Sequence, residues 1–236
     1  MMNYIKTFKT TLNGKPVTWN LNPTINILGG ENGSGKTTLL KRILYDIEMI
    51  SDEENLNDHI TMANCSLMPN VMYLSFDEYS LRQIINASIY LGIHECYSVI
   101  DILLKEILIT PSEIRNQGKE FKRHMSKFIP NPSSELMEML GSITSTLDEN
   151  IEYQNLSSGE KHLMFIILTV MKTCSKPTIL LLDNVQSSLH IDIQEKLLDG
   201  LLDINPNLQI ICATHSPSVI VEHLNEVKLV KELYDE

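Results

Sequence analysis

The segment from Gly30 to Thr37, GENGSGKT, constrains the fold of this chain more than any other. It fits the pattern G-x-x-x-x-G-K-[ST], follows the apolar segment INIL at 25–28, and leads into residues 37–50, where apolar side chains recur at helical spacing. Glycines let successive backbone N–H groups point at one phosphate, and the helix N-terminus adds a favourable dipole. The pattern therefore predicts a strand, a phosphate-binding loop and a helix, as in a parallel-rich α/β sheet.

The side chains of this phosphate loop predict ATP and Mg²⁺ as ligands. Lys36 is expected to bridge the β- and γ-phosphates, and the Thr37 hydroxyl to ligate Mg²⁺. Asp183 ends the apolar segment ILLL and is expected to hold the same ion through water, as acids at the carboxyl ends of strands often do. The loop residues expected to contact the nucleotide are Asn32, Gly33, Ser34, Gly35, Lys36, Thr37 and Thr38.

Hydrophobic patterning predicts the other elements. Residues 51–70 are polar and read as a loop, whereas about 80–150 read mainly as helix, with one apolar periodicity over 84–109 that stops before Pro111. Strands are predicted at 3–10, 17–21, 25–28, 71–76, 178–183 and 209–214, and helices at 37–50, 160–174 and 193–204.

Composition excludes several classes of protein. The 236 residues, 43% of them hydrophobic, suffice for one core with an inserted subdomain. A net charge of −11 does not support direct, sequence-independent DNA binding. Apolar runs are too short to span a bilayer, and the N-terminus lacks the apolar stretch of a signal peptide. We therefore expect a cytoplasmic protein whose scattered cysteines are reduced and mostly buried: Cys65, Cys96, Cys174 and Cys212.

The segment Asn155–Glu160, NLSSGE, directly precedes the predicted apolar helix. As local structure it reads as a helix N-cap, with serine oxygens for the first N–H groups and Glu160 in the first turn. An N-cap alone does not explain the L-S-S-G-E order or its place upstream of the acidic strand. Here the chain resembles the ATP-binding-cassette (ABC) ATPases, whose LSSGE- or LSGGQ-like signature motif stands at this place in the order.

Two further segments resemble motifs of the same family. Ala213-Thr214-His215-Ser216 is similar to its switch-histidine motif, and Ser187–His190 is similar to its D-loop. A lone histidine at a strand end is more often structural, but its place in this series favours a γ-phosphate contact for His215. GENGSGKTTLL, SLH and ATHSP most resemble the RecF/SMC/overcoming-lysogenisation (OLD) branch, which includes small ATPases of bacterial phage-defence systems.

The resemblance covers the first 50 residues and 150–220 well, and the middle hardly at all. It implies an ABC-type ATPase head with an N-terminal antiparallel β portion, residues 1–79 and 151–236 as the nucleotide-binding core, and about 80–150 as an inserted helical lid. It also implies a head-to-tail dimer, with itself or a related ATPase, in which two nucleotides are sandwiched and the D-loop crosses the interface. The residues implied to bind the γ-phosphate held by the opposite subunit are Ser157, Ser158 and Gly159.

One departure from the family concerns the general base, which is a glutamate after the acid at the end of the strand. In this chain Asn184 follows Asp183. An amide can orient water but cannot take its proton, and loss of a general base costs about 10²–10⁴-fold in rate. We therefore expect tight ATP binding with weak or absent hydrolysis, unless another carboxylate, such as Glu31 or Glu160, replaces the base.

Other departures concern the middle of the chain. The family's Q-loop glutamine is not obvious after the strand at 71–76: Phe76 or Asp77 stands near its place and Gln83 comes late, so this role is unassigned. No heptad array supports a long coiled coil, which leaves a compact lid. Four basic residues in the lid read best as an ordinary solvated helix face: Lys119, Lys122, Arg123 and Lys127.

Three functions are compatible with these features. The first is an ATP-dependent dimerisation switch that controls a separately encoded effector, such as a nuclease or toxin of a phage-defence cassette. The second is a DNA-repair ATPase that turns over with a base supplied elsewhere or by a partner. The third, the nucleotide-binding subunit of a transporter, is the weakest because the transporter-type Q-loop is missing. The sequence favours the switch.

Overall fold

The computed structural model describes residues 4–51, 59–63, 69–75, 80–85, 87–91, 111–145, 153, 155–173 and 176–234. The chain divides into two compact units, which are described separately. The first comprises Met1–Gly92, Ser175–Gln186 and Asn207–Glu236, and the second comprises Ile93–Cys174 and Ser187–Pro206. Several predictions fall outside the described residues: the helix over 92–110, the Q-loop positions Phe76 and Asp77, and the cysteines Cys65, Cys96 and Cys174.

The first unit contains ten described strands and two α-helices. The strands are β1 (Tyr4–Leu12), β2 (Lys15–Asn20), β3 (Ile25–Gly29), β4 (Ile60–Ala63), β5 (Asn70–Ser75), β6 (Ser80–Ile85), β7 (Ala87–Leu91), β8 (Thr178–Asp183), β9 (Leu208–Ala213) and β10 (Val227–Leu229). The helices are α1 (Lys36–Ser51) and the short α6 (Pro217–Glu222).

These strands form two sheets. A three-stranded antiparallel sheet has the order β2-β1-β4, and a seven-stranded sheet has the order β10-β3-β9-β8-β5-β6-β7. The pairs from β10 to β5 are parallel, and β6 and β7 add an antiparallel edge. This arrangement confirms the predicted α/β fold with a parallel-rich sheet and an N-terminal antiparallel portion.

A hydrophobic core joins helix α1 to both sheets. The buried side chains of α1 recur every three or four residues and meet residues of β1, β2 and the parallel strands in one cluster. Its helical members are Leu39, Leu40, Ile43, Leu44 and Ile47. Because α1 begins directly after the phosphate loop, this packing fixes the direction in which the loop presents its backbone.

Gln209 links the two sheets through its side-chain amide. It lies in the parallel strand β9 and is fully buried. Its Oε1 accepts a hydrogen bond from Ile5 N at 2.8 Å, and its Nε2 donates to Ile5 O at 2.9 Å and to Asn22 O at 2.8 Å. The amide thus bonds a residue of β1 in the way that a neighbouring strand would.

Two segments of the first unit differ from the sequence prediction. Residues 60–63, predicted as loop, form β4, which pairs with β1. Residues 80–85 and 87–91, predicted as helix, form the strands β6 and β7. A continuous apolar run fits both periodicities, and here the backbone of β6 hydrogen-bonds along β5, so pairing with an existing sheet decided the outcome.

The second unit is helical within its described residues. It contains α2 (Pro111–Phe128), α3 (Ser134–Ser145), α4 (Ser158–Lys172) and α5 (Ile191–Ile204). Pro111, the residue before which the predicted periodicity over 84–109 stops, is the first residue of α2, a position that suits proline because its missing N–H would have no partner there. Two of the four basic residues for which we expect a solvated helix face form ion pairs. Arg123 pairs with Glu120, and Lys127 pairs with Asp203.

Candidate nucleotide site

The phosphate loop connects β3 to α1 and depends on glycine at three places. Gly30, Gly33 and Gly35 have φ angles of 143°, 77° and 103°, which L side chains rarely adopt. A Cβ at Gly35 would also lie 2.9 Å from Cδ2 of Leu12. The loop is therefore a backbone cradle that larger residues would fill or distort.

One polar atom of the cradle fits an anionic ligand. Ser34 Oγ is buried and has no hydrogen-bond partner among the described residues. Buried hydroxyls are nearly always satisfied, so such an atom points to a group that is bound in function. Together with the loop's glycines, it supports the prediction that a nucleotide phosphate occupies this cradle.

Lys36 is held by the loop itself. Its Nζ donates to the carbonyl oxygens of Gly30 at 2.7 Å and Glu31 at 2.8 Å, and the residue is only 7% exposed. Burial lowers the pKa of Lys36, and the Asp183 carboxylate partly opposes that change. The ammonium group therefore lies at the phosphate loop, and phosphate oxygens could replace the two carbonyl oxygens that accept its hydrogen bonds.

The predicted metal ligands lie side by side. Thr37 Oγ1 donates a hydrogen bond of 3.0 Å to Asp183 Oδ1, and the hydroxyl of Tyr73 donates one of 3.0 Å to Asp183 Oδ2. Asp183 is 1% exposed, so these bonds hold a buried carboxylate in place. A hydroxyl and a carboxylate at a phosphate loop are the donors that Mg²⁺ uses beside nucleotide phosphates, and this pair fits that ion.

Sequence reasoning missed Tyr73. In the parallel pair of β5 and β8, Ser75 lies opposite Asp183 and Tyr73 opposite Leu181. Tyr73 and Ser75 are on the same face of β5 because side chains alternate along a strand. The sequence signal that could have identified Tyr73 is its position inside an otherwise apolar segment. A buried tyrosine hydroxyl needs a hydrogen-bond partner.

Asn184, at the position of the family's general base, lies in a network of amides. It adopts a left-handed φ of 55°, a conformation that asparagine tolerates, and its backbone N–H donates to Ala213 O at 3.1 Å. Its Oδ1 accepts from Gln186 Nε2 at 3.1 Å. The side chain at this position is thus an amide paired with a second amide.

Gln186 also contacts His215, the predicted switch histidine. Its Nε2 lies 3.0 Å from His215 Nδ1 and 3.5 Å from Nε2, and its Oε1 accepts from Thr214 Oγ1 at 2.7 Å. The side-chain amide of Gln186 therefore contacts the imidazole ring of His215 through its nitrogen and the neighbouring Thr214 through its oxygen. Sequence reasoning did not single out this role of Gln186.

His215 and the phosphate loop line a common cavity. It has a volume of about 580 Å³ and is formed by Gly30, Glu31, Ser34, His215, Ile220, Leu229, Val230 and Lys231. The structure therefore brings the loop, the metal-ligand pair and the switch histidine together in the first unit. Glu31, one of the two carboxylates left open as a base, is exposed at this cavity.

The signature segment lies in the second unit and forms the N-terminus of α4. Ser157 is the N-cap: its hydroxyl accepts from Glu160 N at 3.3 Å, and Glu160 Oε2 accepts from Ser157 N at 2.9 Å. Ser133 Oγ donates to Glu160 Oε1 at 2.7 Å. Partial burial raises the pKa of Glu160, but the hydrogen bonds from Ser133 and Ser157 outweigh it and the pKa is lowered. Ser157 and Ser158 are exposed.

The N-cap reading of this segment is therefore what the structure shows. It does not compete with a ligand role, since both serines face solvent. Glu160, the second carboxylate left open as a base, is committed to the capping box and to Ser133. Cys212, the one cysteine among the described residues, is free and buried, as predicted, and burial raises the pKa of its thiol.

No helix within the described ranges is both long and apolar enough to cross a membrane. Residues 71–222 match the model of the AAA_21 family, described as "AAA domain, putative AbiEii toxin, Type IV TA system". This match includes the signature segment, Asp183 and His215.

Two curated proteins are similar to the chain. The uncharacterized ABC transporter ATP-binding protein YmeB of Lactococcus lactis is 27% identical over 92% of this chain and 77% of its own length. An uncharacterized Dictyostelium discoideum protein is 22% identical over 79% of this chain, which spans only 24% of that protein. Among solved structures, the SMC head domain from Thermotoga maritima aligns with 93% of this chain and 90% of its own at 18% identity and a TM-score of 0.45.

Proposed function

This chain belongs to the AAA_21 family and is an ABC/SMC-type P-loop ATPase, and we propose that it acts as an ATP-dependent dimerisation switch controlling a partner protein. In this proposal ATP and Mg²⁺ bind at the phosphate loop, and two subunits close head to tail around them. Hydrolysis is weak or absent, so the closed state persists. The partner is a separately encoded effector, such as a nuclease or toxin of a defence system.

The observation that carries the proposal is the contrast between two consecutive residues at the carboxyl end of β8, Asp183 and Asn184. Asp183 is buried and bonded to Thr37, so the groups that would hold Mg²⁺ are in place. The next residue is Asn184, whose amide accepts from Gln186. The residues expected to bind Mg²⁺ are present and paired, whereas the position of the base carries a group that cannot accept a proton.

The residues have distinct tasks in this proposal. Lys36 would exchange the carbonyls of Gly30 and Glu31 for phosphate oxygens, and Thr37 and Asp183 would hold the metal ion. Bound Mg²⁺ would neutralise charge on the β- and γ-phosphates. His215, which Gln186 contacts, would donate a hydrogen bond toward the γ-phosphate.

Head-to-tail dimerisation is supported by the exposed N-terminus of α4. The exposed Ser157 and Ser158 at the N-terminus of α4 suit an anion, because a helix N-terminus carries partial positive charge. The description of the matched family associates its AAA domain with a toxin–antitoxin system, and this association is what suggests a role in a defence system.

The test is the oligomeric state and turnover of the purified protein. We expect ATP with Mg²⁺ to convert monomer to dimer in light scattering, and turnover to stay below roughly 0.01 per second, slow against a typical enzyme. The Lys36→Ala variant is the non-binding control and should remain monomeric. Rapid turnover that Lys36→Ala abolishes would contradict the switch, and stimulation by DNA would favour the repair ATPase.

A further inference from the structure

Three consecutive carbonyl oxygens of the D-loop segment, those of Ser187, Ser188 and Leu189, each lie against helix α4 or α5. The segment connects β8 to α5 and belongs, with both helices, to the second unit. Each of these three carbonyls has its own neighbour on one of the two helices.

The first contact is a hydrogen bond from a buried histidine. His162 Nδ1, on α4, lies 3.2 Å from Ser187 O, and His162 is 2% exposed. A carbonyl can only accept, so Nδ1 carries the proton and donates. Burial lowers the pKa of His162, while this bond partly opposes the change, so the ring is neutral near pH 7.

The second contact explains why position 159 is a glycine. A Cβ at Gly159 would lie 2.5 Å from Ser188 O, closer than real Cβ atoms approach. Gly159 lies in the first turn of α4, where any residue can adopt the backbone conformation, so space and not φ demands glycine. Ser188 has a φ of 63°, an uncommon angle for a non-glycine residue, which aims its carbonyl at this spot.

The third contact comes from the helix that follows the loop. Gln194 Nε2, on α5, donates to Leu189 O at 2.8 Å. The N–H groups of Ile193 and Gln194 also donate hydrogen bonds to His190 O, so the first turn of α5 begins directly after Leu189. The segment is thus fixed from α4 on one side and from α5 on the other.

We propose that the signature turn and the segment Ser187–Leu189 form one rigid docking element, with His162 and Gln194 as its positioning residues and Gly159 as its contact point. Its role rests on the proposed function, in which both segments act at the opposite subunit. If the element is rigid, the D-loop already has its bound conformation when the signature turn contacts the opposite subunit. No conformational freedom of the loop is then lost on dimerisation, which lowers the entropic cost.

Hydrogen exchange of the nucleotide-free protein tests the rigidity without relying on ATP. In His162→Leu, which loses the donor, amides of 187–190 should exchange about tenfold faster, the effect of one lost buried hydrogen bond. His162→Asn is the matched variant, because its amide nitrogen can take the place of Nδ1, and should stay within about twofold of wild type. Unchanged exchange in His162→Leu would overturn the proposal.

Two further variants guard against a general loss of folding. Gln194→Leu removes the tether on α5 from a partly exposed position and should also speed exchange at 187–190, whereas Asp199→Asn on the exposed face of α5 should not. If Asp199→Asn loosens the loop as much as Gln194→Leu does, the tether is not responsible and the proposal fails.

Dimerisation then tests the docking role. We expect about tenfold weaker ATP-induced dimerisation in His162→Leu, restored in His162→Asn. If His162→Leu loosens the loop yet dimerises like wild type, the docking role is wrong. If wild-type protein does not dimerise with ATP, the proposed function fails, while the exchange experiment still decides whether the element is rigid.

Discussion

Thr37 and Asp183, 146 residues apart in sequence, are joined by a hydrogen bond of 3.0 Å between a hydroxyl and a buried carboxylate. The bond connects the first turn of α1 to the end of β8. Tyr73 holds the other carboxylate oxygen, so the acid has a fixed orientation before any ligand binds. Mg²⁺ would therefore meet a preorganised pair.

Removing the Thr37 hydroxyl should separate metal-dependent from metal-independent nucleotide binding. Thr37→Val keeps the shape of the side chain but loses a proposed Mg²⁺ ligand, and we expect affinity for ATP to fall at least about tenfold with Mg²⁺ present. Titration calorimetry with Mg²⁺ and with EDTA measures this. Thr37→Ser, which keeps the hydroxyl, should bind nearly as wild type does. Equal affinities of Thr37→Val and wild type with Mg²⁺ would exclude Thr37 as a ligand.

Restoring an acid at position 184 should restore hydrolysis. We expect Asn184→Glu to hydrolyse ATP about 10²-fold faster or more, because a carboxylate can take the proton of water. The left-handed φ of 55° should cost the variant about 1 kcal/mol of stability, since only glycine, asparagine and aspartate adopt it readily.

Asn184→Gln is the matched control for this experiment, because it has the same backbone penalty and no acid. A phosphate-release assay on both variants separates the effect of the carboxylate on the hydrolysis rate from the effect of the backbone strain. Should Asn184→Glu turn over no faster than Asn184→Gln, position 184 is not where the base is missing, and Glu31 at the neighbouring cavity becomes the next residue to test.

The phosphate loop, its helix and the parallel strands were predictable because each depends on a local signal. The glycines of the loop, the apolar strand before Asp183 and the spacing along α1 leave few alternatives. The phosphate loop and Asp183 both follow parallel strands, and the carboxyl ends of parallel strands share one edge of a sheet, so the two were expected to lie close together. The pairing of Thr37 with Asp183 was therefore within reach of the sequence.

What could not be predicted depends on contacts between distant segments. Strands β6 and β7 form where an apolar run allowed helix or strand, and pairing with β5 decided between them. The partners Tyr73 and Gln186 depend on the register of β5 against β8 and on the turn after β8. The sequence predicts only a phosphate-binding role for Gly159. The structure adds that a side chain at this position would clash with the carbonyl oxygen of Ser188.

Gln209→Leu should destabilise the protein although it replaces a polar residue by an apolar one. The change leaves the buried N–H and C=O of Ile5 without the partner that Gln209 provides, which costs about 3 kcal/mol, or roughly 6–12 °C in melting temperature for a chain of this size. Thermal unfolding by circular dichroism measures the shift. The same substitution at the partly exposed Gln117 should change stability by less than about 0.5 kcal/mol. Similar losses at both sites would mean that the link between the sheets contributes little.

Glu160 should make the stability of the protein sensitive to acid. Its pKa in the folded state is lowered from 4.5, since the bonds from Ser133 and Ser157 outweigh the effect of burial. A lowered folded pKa means that the stabilisation is fully present above the unfolded value and is lost as pH falls through the folded one. Urea unfolding of wild type and Glu160→Gln should therefore show the largest gap near pH 7 and a narrowing gap below about pH 4.5. Glu138→Gln, on the exposed side of α3, should track wild type across the same range. A gap that stays constant from pH 7 to pH 3 would mean that the charge of Glu160 does not contribute, and that its capping role is carried by geometry alone.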